Sequence, residues 1–294
     1  MSKIYRDYSQ EELDRQYEQR TLVPAPGVYT RSWRERTDEV KGLVDNMLDV
    51  PYGDHPDERL DIYLASGNFE NGAAPIQIFV HGGAWRGSSK EDAGGPAPVF
   101  TSAGAIYVAL EFSLAPAANL DRMVNQVRRA IKFIYDTADK YEGARERIFL
   151  SGHSSGAHLA SMATVTDWEG DFGVPDDIIK GVTLASGPFD LEPVRLSARN
   201  DYLSLDEDMT QRNSAYLYLP GMTKKYLPPA LFAWGGKELD EFQRQSRELS
   251  HAWEKTGVDV QRFFFEERNH FEMLDEFSTP GPLVAAMLSQ MNLA

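Results

Sequence analysis

Residues 152–156 read Gly-His-Ser-Ser-Gly and stand directly after the apolar run 147–151, "RIFLS". A serine hydroxyl is a poor nucleophile at neutral pH until a base removes its proton. Glycines two places to either side of Ser154 suit a turn so tight that a side chain there would strike the neighbouring strand or helix. Residues 155–165, "SGAHLASMATV", then read as a helix. Ser154 would project at that helix's N-terminus, where backbone N–H groups favour developing negative charge. Strand, tight turn and helix in this order form the setting of a nucleophile elbow, and the chemistry indicated is acyl transfer through a covalent serine intermediate.

The chain has six histidines and no cysteine, so thiolate catalysis and cysteine-held metals are excluded and the base must come from a short set. With an elbow of this kind the chain order is serine, acid, histidine, which leaves His158, His251 and His270. His158 lies four residues along the elbow helix, a full turn from the hydroxyl. His251 falls in a helical stretch between Leu249 and Trp253, and both read as structural. His270 follows the last β-rich run, "VQRFFFEERN", at a strand's C-terminal end where ligand-handling loops collect, and is the expected general base. The acid should lie on the loop after "PALFAWGG", where Glu238 and Asp240 compete. Asp240 with Gln243 three places on reads as a helix N-cap with its box partner, leaving Glu238 to hold the ring N–H of His270.

His81-Gly82-Gly83-Ala84-Trp85 follows the run "PIQIFV". An oxyanion needs N–H donors from backbone that can come close and take unusual dihedrals, which glycine permits. Gly82, Gly83 and the N–H of Ser155 are the expected donors, with His81 orienting the loop.

These side chains need a scaffold. From Arg59 onward the short β-rich runs "RLDIYLA", "PIQIFVH", "AIYVALEF", "RIFLSGH", "IKGVTLASG", "PALFAWGG" and "VQRFFFEE" alternate with helix-length stretches, notably 120–139 and 241–256. Apolar runs without alternation fit strands covered on both faces, so a mostly parallel sheet in an α/β architecture is expected. Residues 1–50 read as an N-terminal helical arm, with a capping box at Ser9 and Glu12. Residues 191–228 break the alternation with polar, tyrosine-rich sequence, expected to pass over one end of the sheet as a cap. Trp85, Phe189, Tyr202, Tyr216, Tyr218 and Tyr226 are candidates for an aromatic substrate pocket.

At 294 residues and 42% hydrophobic content the chain can bury one large core, and a single domain over 1–294 is expected. The net charge of −15 argues against a nucleic-acid partner, which would require a basic stripe. No G-x-G-x-x-G follows the early strands and no H-E-x-x-H is present, so neither cofactor nor metal is expected. No apolar run approaches a membrane span, and the start "MSKIYRDYSQEELDRQYEQR" lacks the apolar core of a signal peptide. A cytoplasmic protein acting on a small molecule is expected, away from membranes; a homodimer is compatible with all of this.

Taken together, "HGGAW", "GHSSGAHL", "SGPFDLEPV" at 186–194, "GGKELDEFQRQS" and "NHFEML" resemble the α/β-hydrolase superfamily and, within it, the kynurenine formamidase (arylformamidase) family. "YSQEELDRQY" and "PYGDHPDERLDIY" extend the resemblance over most of the chain. Ser155 stands where that family often has alanine, and Glu238 where some members have aspartate. The resemblance implies an α/β-hydrolase fold with helices on both sheet faces. It also implies serine-dependent hydrolysis of an amide or ester, formyl transfer being the smallest case; similar sequences include carboxylesterases and cyclic imide or amide hydrolases. The rival class is a silent scaffold used for binding, against which the complete set Ser154, Glu238, His270 argues. Activity that runs through His270 should fall on acidification.

Overall fold

The computed structural model describes residues 2–67, 73–222 and 227–293, so Tyr226 lies outside the described residues. Within them, one sheet contains strands β1 Asn46–Pro51, β2 Arg59–Tyr63, β3 Ala74–Val80, β4 Ile106–Leu110, β5 Gly143–His153, β6 Ile179–Ala185, β7 Ala230–Gly235 and β8 Val260–Phe265. Their order is β1-β2-β4-β3-β5-β6-β7-β8. The first two pairings are antiparallel and all later ones parallel.

The central strands β3 and β4 are buried at every position, as their unbroken apolar sequences require of strands covered on both sides. The helices are α1 Gln10–Arg15, α2 Pro26–Lys41, α3 Ala97–Ser102, α4 Leu120–Thr137, α5 Ser155–Thr164, α6 Trp168–Phe172, α7 Glu192–Leu196, α8 Asn200–Leu203, α9 Glu207–Arg212, α10 Asp240–Glu254 and α11 Pro282–Gln290. One apolar cluster joins Ile76, Ile78 and Val80 of β3 to α4, α5 and α10. A second, on the other face, joins Phe79 of the same strand to α2, α3 and α11. Alternate residues of β3 therefore feed opposite layers, as the two-residue strand period dictates.

Two differences from the sequence expectation have physical causes. The arm expected over 1–50 ends earlier, because residues from Asn46 form β1 at the sheet edge. Met47 and Leu48 of β1 are exposed and a register shift separates Met47 from Val50, so neither alternation nor burial marks it. Of the stretch 191–228, the described residues 191–222 form short helices α7 to α9 and single 3-10 turns at Ala215–Leu217 and Leu219–Gly221, with no strand among them.

Helix α4 starts at Asn119, whose side chain accepts the N–H of Arg122 at 3.0 Å and satisfies one of the donors that a helix start leaves orphaned. Asn119→Ala is expected to cost about 1 kcal/mol, read as a lower urea midpoint with kcat/KM unchanged, since the cap lies outside the catalytic array.

Candidate active site

The elbow is dictated by lack of room. A Cβ on Gly152 would stand 2.4 Å from the Gly156 carbonyl oxygen, and one on Gly156 would stand 2.1 Å from the Val80 carbonyl oxygen of β3. Only glycine lets β5, its turn and α5 pack this closely. The turn is made by Ser154 with φ 57° and ψ −128°, a conformation unfavourable for any residue with a side chain. Its N–H donates to the Ala185 carbonyl at the end of β6, which helps hold the strained turn in place.

His270 is brought to this serine from the far side of the sheet. Ser154 Oγ lies 2.8 Å from His270 Nε2. The loop carrying His270 is tied by Asn269, whose Oδ1 accepts the N–H groups of Phe271 and Glu272. His153 also serves this loop: its Nε2–H donates to the His270 carbonyl at 2.9 Å, and the two rings lie 4.8 Å apart. Phe242 packs edge-on to the His270 ring at 4.9 Å.

Glu238 is buried after β7, with Oε1 3.7 Å from His270 Nδ1. That is ion-pair range, longer than a hydrogen bond. The same oxygen accepts from Ser186 Oγ at 2.5 Å and from the Gly235 N–H at 3.3 Å. His270 Nδ1 and Glu238 Oε2 each lack a hydrogen-bond partner. Asp240, the competing acid, is exposed on the first turn of α10. It is not the N-cap expected from sequence: Leu239 takes that position, and Gln243 instead donates back to the Glu238 carbonyl at 2.8 Å, tying down the acid loop.

The loop after β3 passes directly over Ser154. A Cβ on Gly82 would meet the His153 carbonyl oxygen at 2.8 Å, and Gly83 has φ 104°. Among the described residues, the N–H groups of Gly82, Gly83 and Ser155 donate to no protein acceptor, and they remain available beside the nucleophile. The loop is strained, with Ala84, Trp85 and Ser88 all at positive φ, and fixed bonds hold it. The Trp85 N–H donates to Ser155 Oγ at 3.1 Å and its carbonyl accepts from Ala115 at 2.8 Å. His158 takes the Trp85 indole N–H on Nδ1 and gives its own Nε2–H to the Asn213 carbonyl, which fixes its tautomer. His81 donates to Glu111 at 3.0 Å and to the Gly82 carbonyl. Burial opposes charge on His81, but the Glu111 carboxylate outweighs it and the pKa is pushed up.

The cleft over Ser154 and His270 has a volume of about 540 Å³. Of the aromatic residues expected to line it, Tyr202 does. Trp85 is fully buried as the anchor of the glycine loop, while Phe189 and Tyr216 border a separate small depression near Arg6 and Arg244. Tyr17, Trp33, Phe79 and Phe271 supply the aromatic wall instead. His251 is exposed at the back of the molecule. Sequence reasoning missed Ser186, His153 as a carbonyl anchor, the side-chain role of Ser155, and Arg86 and Arg199. Only Arg86 carried a signal, its place directly after "HGGAW". No group of three or more ionisable side chains suited to a metal ion occurs among the described residues.

Desolvation sets the electrostatics. Burial, and after it the positive charge of Arg199, lowers the His270 pKa to about 3, so the imidazole is held neutral and able to take a proton. Burial raises Glu238 to about 7, against the bonds from Ser186 and Gly235 that favour its charged form.

Acidification is expected to act in two steps. The useful form of Glu238 is the carboxylate, so kcat/KM should decline partly as pH falls through about 7, then completely where His270 protonates, below its ordinary value of 6.5. Glu238→Gln should abolish the upper step only; a single limb at or above 6.5 in both proteins would contradict this. Because a carboxyl with a raised folded pKa loses stability as pH rises, Glu238→Gln should also be more stable at pH 8 by about 1–3 kcal/mol and gain little at pH 5, measured by thermal unfolding. Ser155→Ala strands the buried Trp85 N–H and should cost about 1–3 kcal/mol in the same measurement.

The chain is similar to several known proteins. A family model described as BD-FAE matches residues 60–236. A kynurenine formamidase from Danio rerio is 30% identical over 98% of each chain. An isoprenylcysteine alpha-carbonyl methylesterase from Arabidopsis thaliana is 25% identical, covering 76% of this chain and 56% of its own. A crystal structure from a Silicibacter species superposes with a TM-score of 0.78 at 24% identity, covering 93% of this chain and 98% of that one. The fold, the full-length relationship and the match to the BD-FAE model place the chain in the arylformamidase-like family of α/β-hydrolases, as a hydrolase of amide or ester bonds.

Proposed function

We propose that Ser154, His270 and Glu238 form the catalytic triad and that the enzyme deacylates a small aromatic amide or ester, with an N-formyl arylamine of the N-formylkynurenine type as the leading substrate. The observation that carries this is the 2.8 Å approach of Ser154 Oγ to His270 Nε2 beneath unused N–H donors. Ser154 Oγ attacks the carbonyl carbon while its proton passes to Nε2. The oxyanion is received by the N–H groups of Gly82, Gly83 and Ser155. Collapse breaks the carbonyl–nitrogen or carbonyl–oxygen bond, and the proton on Nε2 goes to the departing group. Water then gives a proton to Nε2 and attacks the acyl-serine; the acyl–Oγ bond breaks, Nε2 returns its proton to Ser154 Oγ, and the acid leaves, as formate where the acyl group is formyl.

The role of Glu238 is to stabilise the imidazolium formed in each half-reaction. The closing distance from 3.7 Å to hydrogen-bond length is a small motion once the ring gains charge. Support for an aromatic substrate is the wall of Tyr17, Trp33, Tyr202 and Phe271, and the Danio rerio relative supports formamide chemistry. The acidic balance of the chain supports a site of action without nucleic-acid partners.

Testing uses N-formylkynurenine, p-nitrophenyl esters, simple amides and cyclic imides against wild type and Ser154→Ala, with fluorophosphonate labelling of both. Ser154→Ala and His270→Ala should each lose about 10⁶ in kcat, and labelling should require Ser154. Faster turnover of an alkyl ester than of any aryl formamide would move the assignment to carboxylesterase. An unlabelled wild-type protein inert to the whole panel would leave a binding scaffold.

A further inference from the structure

The cleft carries charge that the triad does not use. Arg20, Arg86 and Arg199 line it, and Asp14, Glu18 and Asp92 are the carboxylates in the same walls. Two of those carboxylates are already engaged: Asp92 accepts from Arg34, Ser88 and Ser89, and Asp14 from Gln10 and the Ala198 N–H. The guanidiniums are not. Among the described residues, none of the three has a carboxylate within 4 Å.

Arg199 is pinned rather than paired. Its Nε and Nη2 donate to the Tyr17 carbonyl at 3.0 and 2.6 Å, its guanidinium faces the rings of Tyr17 and Phe242, and Nη1 makes no hydrogen bond. Arg86 is exposed, braced against the Tyr202 ring at 4.4 Å, and its side chain hydrogen-bonds to no described residue. Burial is what chiefly disfavours the charge on Arg199; Tyr202, Tyr17 and Glu18 favour it, and Arg86 adds a smaller opposition. Glu18 offsets part of this charge, but Arg86 stands at the mouth of the cleft with no carboxylate partner of its own among the described residues, and an anion entering there meets both guanidiniums.

We propose that Arg86 and Arg199 form a carboxylate-binding subsite, so that favoured substrates carry an anionic group on the part of the molecule remote from the bond that breaks. This rests on the hydrolytic reading above. A planar guanidinium fork matches a carboxylate in shape and charge. Arg86, braced on Tyr202 and free to turn its fork, makes the direct contact. Arg199 contributes field from behind, held by Tyr17. A monoanion fits better than a dianion, because Glu18 stands exposed in the same wall and opposes a second negative charge.

The experiment compares kcat/KM within two ester pairs at low ionic strength: 3-acetoxybenzoate against 3-acetoxybenzamide, and mono-4-nitrophenyl adipate against its terminal carboxamide. The first pair puts the charge on the departing phenol, the second on the acyl part. Wild type should favour the carboxylate of at least one pair by about 10- to 100-fold, mainly through KM, the range of one or two charge-assisted hydrogen bonds. Arg86→Gln and Arg199→Gln should bring that ratio to within about threefold of unity. A ratio of one in both pairs for wild type, or a preference that both variants retain, overturns the subsite. Should Arg199→Gln fail to fold for want of its Tyr17 anchor, the exposed Arg86→Gln decides alone. Protection of wild type from fluorophosphonate labelling by benzoate against benzamide reads the same preference without turnover, and equal protection also overturns it. Ester hydrolysis lost in Ser154→Ala upholds the triad whatever the ratio, whereas hydrolysis that persists there overturns the triad and leaves the subsite to the labelling result.

Discussion

Close backbone packing governs the site: α5 is pressed against the end of β5 at Gly152 and against the end of β3 at Gly156, with no space for a side chain at either. The chain must reverse within one residue, and Ser154 takes a conformation that costs of order 1–3 kcal/mol. What the strain secures is position. The hydroxyl stands clear of the sheet with the orphan N–H groups of α5 at its back, and the loop after β3 is forced to pass within contact of the turn. The proposed nucleophile and its proposed oxyanion donors are therefore set by close backbone packing, and His270 has only to reach a fixed point. Rigid elements carry the reacting groups, so little reorganisation remains when the acyl group arrives.

Around that point the buried histidines are held by specific hydrogen bonds. His153 and His158 both give Nε2–H to a backbone carbonyl, which fixes their tautomers, and burial keeps both below the ordinary imidazole range. His81 is the exception, a cation paired with Glu111, and Glu111 also takes the N–H groups of Lys90 and Phe112. One carboxylate thus holds both ends of the strained glycine loop. Among the described residues, several buried side-chain atoms of this cleft keep no partner, Arg199 Nη1, Trp33 Nε1 and the Gln19 amide among them; two more, His270 Nδ1 and Glu238 Oε2, belong to the pair whose charges would change in the proposed reaction. On the proposed mechanism, an interaction left unmade between these two groups at rest can form when the imidazolium appears, which is the condition for lowering a barrier rather than tightening ground-state binding.

What could be seen in the amino-acid sequence was what is local. The elbow needs two glycines, a serine, a preceding strand and a following helix, all within about twenty residues, and those physical demands leave a pattern. Glu238 and His270 follow strands and are found by elimination among few candidates. Trp85 was misjudged because a tryptophan next to catalytic glycines suggests a ligand contact, whereas its indole is spent on His158 and its backbone on Ser155 and Ala115. Phe189 and Tyr216 were misjudged for another reason. The path of 191–228 is set by what it packs on, so periodicity cannot say which aromatic side chain faces the cleft. β1 escaped notice because an exposed edge strand with a register shift has no buried face to impose alternation.

The mouth of the cleft follows from this division. It is made where the N-terminal arm and the 191–228 excursion meet, and much of that seam is polar. Gln10 donates to the Leu196 carbonyl, the Ala198 N–H to Asp14, the guanidinium of Arg199 to the Tyr17 carbonyl, and the Glu241 N–H to Gln16. Leu13 and Tyr17 sink into the core and anchor the arm, but the rim above them is joined by hydrogen bonds worth about 0.5–1.5 kcal/mol each. Bonds of that kind hold the rim less firmly than apolar packing holds the layer beneath it. The sheet end, by contrast, is fixed by backbone packing that tolerates no added carbon atom. A fold divided in this way can keep its chemistry constant while the residues at the seam, Arg199 and Tyr202 among them, decide which molecules reach the serine.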